Sequence, residues 1–174
     1  SLNIGGNDTP LLLGYGTPPI GLPNWPSGST PNLVDGVVIQ YQCVGSNNPN
    51  ELEIGEEEIE VVGRTVTHEV GHYLGLRHIW GDGDCTQQDG INDTPNASAQ
   101  SEGDCNFSKN TCVDNIFGTD LPDLVENFMD YSAETCQNTF THGQAELMCS
   151  VLQNQRFSLV NINSAVIHEI KNEA

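Results

Sequence analysis

The chain has 174 residues, with 5 Lys plus Arg against 24 Asp plus Glu and a formal net charge of -19. That length suits one domain with a core of its own, while the charge excludes nucleic acid and anionic membrane surfaces as natural partners, because both would repel it. No apolar run approaches the roughly 20 residues needed to span a bilayer.

Ser1-Leu2-Asn3-Ile4 lacks the basic start and apolar stretch of a signal peptide, so the chain reads as a processed or excised piece. The acidity serves solubility, and it also suits basic peptides and divalent cations as partners. Six cysteines, none in a CxxC pair, argue against zinc-ribbon or thioredoxin chemistry. They point to disulfides and a secreted, extracellular protein.

In chain order, Leu2-Asn3-Ile4 reads as the end of a strand. Residues 5–32 carry most of the prolines and form an irregular surface stretch, in which Leu11, Leu12, Leu13, Ile20 and Trp25 need burial. From Val37 to Val44, Val37, Ile39, Tyr41 and Cys43 alternate with Val38, Gln40 and Gln42, which predicts an edge strand. Residues 45–58, rich in Asn and Glu, read as loop. A helix begins at Gly63 or Arg64, and Val66, Val70 and Tyr73 form an apolar stripe expected to pack it.

That helix carries His68-Glu-Val-Gly-His72. His68 and His72 lie one turn apart on one face and can grip one metal ion, with Glu69 projecting beside it. HExxH therefore reads as a zinc site with a general base next to it. Two histidines are too few for a catalytic zinc. Gly75 allows the helix to stop and the chain to turn, which returns His78 as third ligand. The full string HExxHxxGxxH is the signature of the metzincin metalloproteases.

Residues 81–120 show little periodicity and hold three cysteines, a loop region expected to be functional or stapled. Thr141-His142-Gly143-Gln144 predicts a capping box opening a final helix over about residues 142–155. Between them lies Met129, within Glu126-Asn-Phe-Met-Asp-Tyr-Ser132.

HEVGHYLGLRH, ENFMDYS and the intervening Asp89-Gly-Ile-Asn-Asp93-Thr-Pro resemble the pappalysin family of metzincins, over roughly residues 33–152. The resemblance implies an α/β (α+β) metzincin-like zincin. Its twisted, mostly parallel sheet has an antiparallel edge strand with the active-site helix above it. An irregular, disulfide-stapled lower subdomain ends in a C-terminal helix. One catalytic domain then covers residues 1–174, the upper subdomain to about 78 and the lower from about 79. The family's first elements, a helix and two strands, and its inhibitory pro-segment are not recognised in the sequence.

By the same resemblance Met129 floors the zinc site in a Met-turn, and Tyr131 donates a hydrogen bond to the substrate oxygen that becomes an oxyanion. Matched by order, Cys85 pairs with Cys112 and Cys105 with Cys136. The residues alone allow three pairings of these four, and Cys43 and Cys149 either pair or stay reduced. Some family members bind calcium, for which Asp82, Asp84, Asp89 and Asp93 are oxygen donors, Asp89 and Asp93 first. Glu134 is placed near the primary specificity pocket, where it would favour Arg or Lys just after the scissile bond.

The implied activity is zinc-dependent hydrolysis of peptide bonds in proteins or peptides, with Glu69 moving the proton from water to the leaving amine. The strand at Val37–Val44 would align an extended substrate. A gluzincin, with a glutamate from a second helix as third ligand, fits less well, because Gly75 and His78 already supply that ligand. The alternative from another class is a catalytically inactive zinc-binding adhesion or interaction domain of the same fold. Such domains usually lose the base or a ligand, and here Glu69 and all three histidines are present.

Overall fold

The computed structural model describes residues 12–26, 34–47, 52–54 and 57–161; the strand expected at Leu2–Ile4 and the burial expected of Leu11 lie outside them. Strand β1 (Gly14–Gly16) pairs antiparallel with β2 (Val37–Ile39), Gly14 opposite Ile39 and Gly16 opposite Val37. Val37 and Ile39 are half-buried and Val38 is exposed, the period-two pattern of a strand with one covered face. β2 is shorter than the expected strand to Val44. Past Gln40 the backbone tightens into a 3-10 turn over Tyr41–Cys43, where the Cys43 amide donates to the Gln40 carbonyl at 2.9 Å. The turn carries Cys43 into the interior, fully buried and unpaired with another cysteine.

The stretch expected as loop at 45–58 holds a second antiparallel pair, β3 (Leu52–Ile54) with β4 (Glu57–Ile59), Leu52 opposite Ile59. Its alternation is short and its glutamates make it read as solvated chain. All strand pairing in the described sheets is antiparallel, whereas the sequence predicts a mostly parallel sheet with one antiparallel edge. The strand that would extend it, at Leu2–Ile4, is outside the described residues.

Helix α1 (Arg64–Tyr73) follows Gly63 and gives way at Leu74 to Gly75, whose φ of 95° ends it. The expected packing face is reversed. Thr65, His68, Glu69, Gly71 and His72 are buried, while Val66 and Tyr73 are half-buried and Val70 is exposed. Close backbone approach explains this. A methyl group on Gly16 would collide with the Glu69 carbonyl, so β1 lies directly on α1. On the opposite side a methyl on Gly71 would stand 2.5 Å from the Met129 sulfur.

Below α1, residues 79–141 contain only isolated bridges, Ile116 with Thr119 and Asn127 with Thr139. Cys85 is bonded to Cys112 and Cys105 to Cys136; Cys149 is exposed and reduced. Leu76, Ile79, Trp80, Ala97 and Met129 form the core here, with Tyr131, Phe140 and Leu147 packed against it. Burial of each large aliphatic side chain contributes about 2 kcal/mol. Helix α2 (His142–Gln153) opens with the predicted capping box: the Thr141 hydroxyl accepts from the Gln144 amide at 3.1 Å, and the Gln144 side chain accepts from the Thr141 amide at 2.9 Å.

Beyond α2 the chain returns to the upper part through Arg156. Its guanidinium donates to the carbonyls of Tyr73 (2.7 Å) and Thr17 (2.8 Å), pairs with Asp35 and stacks on the Tyr73 ring at 3.3 Å. No helix among the described residues is long and apolar enough to cross a membrane.

Candidate active site and metal centre

The Gly75 turn is held from outside. The Asn24 amide and the Trp25 indole both donate to the Gly75 carbonyl, at 3.0 and 2.8 Å, and Leu22 packs where a Gly75 side chain would be. The turn brings His78 back toward α1. The donor atoms of His68, His72 and His78 lie within 4.8 Å of one another, and Nε2 of His72 is 3.1 Å from Nε2 of His78.

The outer nitrogen of each ring has an acceptor. His68 Nδ1 lies 2.6 Å from the Phe128 carbonyl, His72 Nδ1 2.8 Å from the Leu76 carbonyl, and His78 Nδ1 contacts the Asp82 carboxylate. A carbonyl oxygen only accepts, so Nδ1 carries the proton and Nε2 keeps its lone pair. Burial holds His68 far below its ordinary pKa and lowers His72 to about 3, and the neighbouring imidazoles push the same way. The neutral rings of His68 and His72 thus keep their Nε2 lone pairs free, and His78 joins them with its donor atom within 4.8 Å. This donor set fits zinc, which prefers imidazole nitrogen.

Glu69 is buried against β1, where the Gly16 amide hydrogen-bonds its carboxylate. Desolvation raises its pKa to about 7, the Gly16 bond opposing. That value is close to the one wanted of a base at neutral pH. Met129 is fully buried below, its amide donating to Asn127 Oδ1 at 2.9 Å. Asn127 and Gln144 exchange side-chain hydrogen bonds at 2.8 and 3.1 Å, tying this turn to α2. Tyr131 stands 4.8 Å from the His78 ring and 5.5 Å from His68, centroid to centroid. Burial and the nearby Glu69 and Asp82 carboxylates raise its hydroxyl pKa, so it remains a donor.

The acidic candidates separate. Asp82 faces His78 and Arg77; burial would raise its pKa, but the His78 bond and the nearby positive charges outweigh that and lower it. Asp84 accepts from the amide and hydroxyl of Thr86. Asp89 is 3% exposed; Oδ1 accepts from the Ile91 amide and the Thr94 hydroxyl, while Oδ2 has no partner. Asp93 Oδ2 accepts from the Gly143 amide at 2.8 Å, at the start of α2, and its Oδ1 is likewise orphaned.

Glu134, the candidate for specificity, is engaged by the start of α1. Its carboxylate accepts from the amides of Val62 (2.6 Å), Arg64 (3.0 Å) and Thr65 (2.8 Å) and from the Thr65 hydroxyl. Gly63, the residue before α1, has no side chain to cap it, and Glu134 supplies the missing acceptors from seventy residues downstream. A substrate side chain would have to displace those donors.

Sequence reasoning missed the supports: Asn24 and Trp25, Asp82, the Asn127–Gln144 pair, Glu134 as a cap, and Arg156. Arg77 and Arg156 carried a usable signal, since only 5 Lys plus Arg occur in the chain and a rare cation is more often a specific one.

Residues 49–153 match the profile of the Pregnancy-associated plasma protein-A peptidase family. An extracellular metalloprotease of Arthroderma otae is 41% identical over 92 residues, 52% of this chain and 32% of that protein. Extracellular metalloprotease 1 of Coccidioides posadasii is 36% identical over 131 residues, 74% of this chain and 42% of that one. Among solved structures, mature mirolysin of Tannerella forsythia in complex with a cleaved peptide superposes with a TM-score of 0.60. It is 40% identical, with 84% of this chain and 48% of that one covered. The chain spans about a third to a half of the curated relatives it matches. The agreement covers both the histidine helix and the Met129 turn, and with it this chain belongs to the pappalysin family of metzincin peptidases.

Proposed function

We propose that the chain is a single catalytic domain of a secreted zinc-dependent endopeptidase. The observation that carries this reading is the convergence of three imidazoles, each with its Nδ1 engaged by an outer acceptor, beside a buried carboxylate and a tyrosine hydroxyl. His68, His72 and His78 would hold the zinc. When bound, zinc polarises a carbonyl and lowers the pKa of a water molecule. Glu69 accepts the proton and returns it to the leaving amine, Tyr131 donates to the oxygen that gains charge, and β2 offers an edge to an extended peptide. The two disulfides and the extracellular names of the relatives support secretion.

Two finer readings accompany it. Calcium in the lower part is supported by the orphaned carboxylate oxygens of Asp89 and Asp93. Asp93 also lines an open depression of about 520 Å³ with Asn24 and Gly143. Hard cations seek such oxygens. A preference for Arg or Lys after the scissile bond draws on the charge of -19 and not on Glu134. Metal analysis by mass spectrometry, with peptide-library cleavage, tests all three. One zinc per chain, hydrolysis lost on chelation and hydrolysis abolished by Glu69→Ala with zinc retained are expected. A Glu69→Ala variant of undiminished activity would overturn the reading and leave a binding domain in its place.

A further inference from the structure

We propose that Asp82 is a positioning residue: it fixes His78 as the third ligand of the site through a carboxylate–imidazole pair. The proposal rests on the zinc reading above and names the residue that completes it.

His68 and His72 need little help. Both ride on α1, and their Nδ1 protons go to the backbone carbonyls of Phe128 and Leu76. His78 lies past the helix in irregular chain, so nothing regular fixes its ring. Two side chains do so instead. Trp80 stacks on it at 4.3 Å with an interplanar angle of 5°, which sets the plane of the ring. Within that plane the ring could still face either nitrogen inward. Asp82 decides this by accepting from Nδ1, leaving Nε2 turned toward His72.

The backbone is bent to make the contact. Asp82 has a φ of 60°, one of only two non-glycine residues with positive φ among the described residues, next to Gly81 at 62°. The Gly81 amide donates to the His78 carbonyl at 2.9 Å and closes the turn. Such a conformation is disfavoured at a non-glycine residue and persists where surrounding contacts determine it. Arg77 provides those contacts. It donates to the Gln88 carbonyl at 2.7 Å and to the Gly81 carbonyl, and reaches Asp82 Oδ2 at 3.5 Å. One carboxylate oxygen thus faces the imidazole and the other the guanidinium. Of the three outer partners, Asp82 alone is a charged side chain, so it strengthens its histidine as a ligand more than a carbonyl does, and it alone can be removed by substitution.

The test measures zinc affinity, by competition with a chromophoric chelator, for wild type, Asp82→Ala, Asp82→Asn and Asp84→Ala. Wild type binds one zinc per chain. Asp82→Ala raises the dissociation constant about 10–100-fold, and Asp82→Asn, which keeps an acceptor oxygen but not the charge, raises it less. Asp84→Ala, in the same loop with its carboxylate on Thr86, binds as wild type. In the zinc-loaded protein the His78 Nδ1 proton resonates far downfield, and both Asp82 variants shift or lose that signal. The signal follows the contact itself, so Asp82→Asn decides the matter if Asp82→Ala does not fold. Asp82 variants that bind zinc within twofold of wild type, an unmoved proton signal, or an equal loss in Asp84→Ala would each overturn the proposal. A wild type without zinc would instead overturn the metal reading itself.

Discussion

The histidine helix and the segment facing it carry the two halves of one candidate site but are ordered by different physics. In α1 the backbone satisfies itself, and the surroundings need only supply the ends and a close-packed flank. In residues 79–141 the backbone amides turn to carboxylates: Ser101 donates to Asp130, Thr111 to Asp123, Asn96 to Asp114 and Ile91 to Asp89. Much of the acidity of the chain is therefore internal scaffolding. Aspartate replaces the hydrogen-bond ladder that a strand or helix would have provided. The helix tolerates a polar, glycine-marked packing face because its bonds are local, whereas the lower segment combines short turns with carboxylates from distant residues.

Removing the staples is the strongest way to break this contrast. Cys85→Ala with Cys112→Ala opens a loop of 27 residues, at a cost of about 3.5 kcal/mol on the chain-entropy account. Urea unfolding with a free-energy readout checks it. A loss under about 1 kcal/mol would mean that the carboxylate network holds the segment unaided.

Glu134 joins the two regions, and its substitution comes next. Glu134→Ala strips three amides and a hydroxyl at the start of α1 of their acceptor, for an expected loss of about 3 kcal/mol. Glu134→Gln, which keeps one acceptor oxygen, loses less. Peptide-library cleavage by the Gln variant sharpens the point: an unchanged preference at the position after the scissile bond fits a cap, and a lost preference restores the specificity reading. On the upper side, Arg156→Met keeps the stacking on Tyr73 but removes the bonds to Tyr73, Thr17 and Asp35. About 2 kcal/mol is expected in the same unfolding experiment. It falls short of the other two because Asp35 is largely exposed and returns to solvent.

This division also explains what could be read from the sequence. His68, Glu69, His72 and His78 were legible because a helix converts fixed spacing into a fixed direction, and Thr141 with Gln144 because a capping box is local. Met129 and Tyr131 were legible only through the resemblance. The capping role of Glu134 was hidden, since its partners lie 69 to 72 residues away and no spacing rule reaches that far. Asp82 was read as one of four oxygen donors for calcium, because the turn at Gly81 that folds it onto His78 leaves no mark in the spacing. The pair Leu52–Ile54 and Glu57–Ile59 was hidden for the opposite reason: its pattern is local, but its glutamates outweighed the alternation.

The smallest expected effect tests whether a single scaffold carboxylate behaves as buried. Desolvation raises the Asp89 pKa from the ordinary 3.8 to about 7, its bonds to Ile91 and Thr94 opposing. The folded chain then holds a proton that the unfolded chain releases between about pH 4 and 7. With the folded pKa above the unfolded one, stability from this group is fully present below about pH 4 and is lost as pH rises through 7. The slope is at most about 1.4 kcal/mol per pH unit and halves by pH 7, so about 1.6 kcal/mol disappears between pH 5.5 and 7 in chelated protein. Asp89→Asn, uncharged throughout, removes that slope, and unfolding at the two pH values measures the difference. Calcium reverses the sign, because it binds the ionised carboxylate and stabilises the fold more as pH rises. Repeating the measurement with calcium therefore separates a merely buried carboxyl group, whose slope persists, from a cation ligand, whose slope inverts.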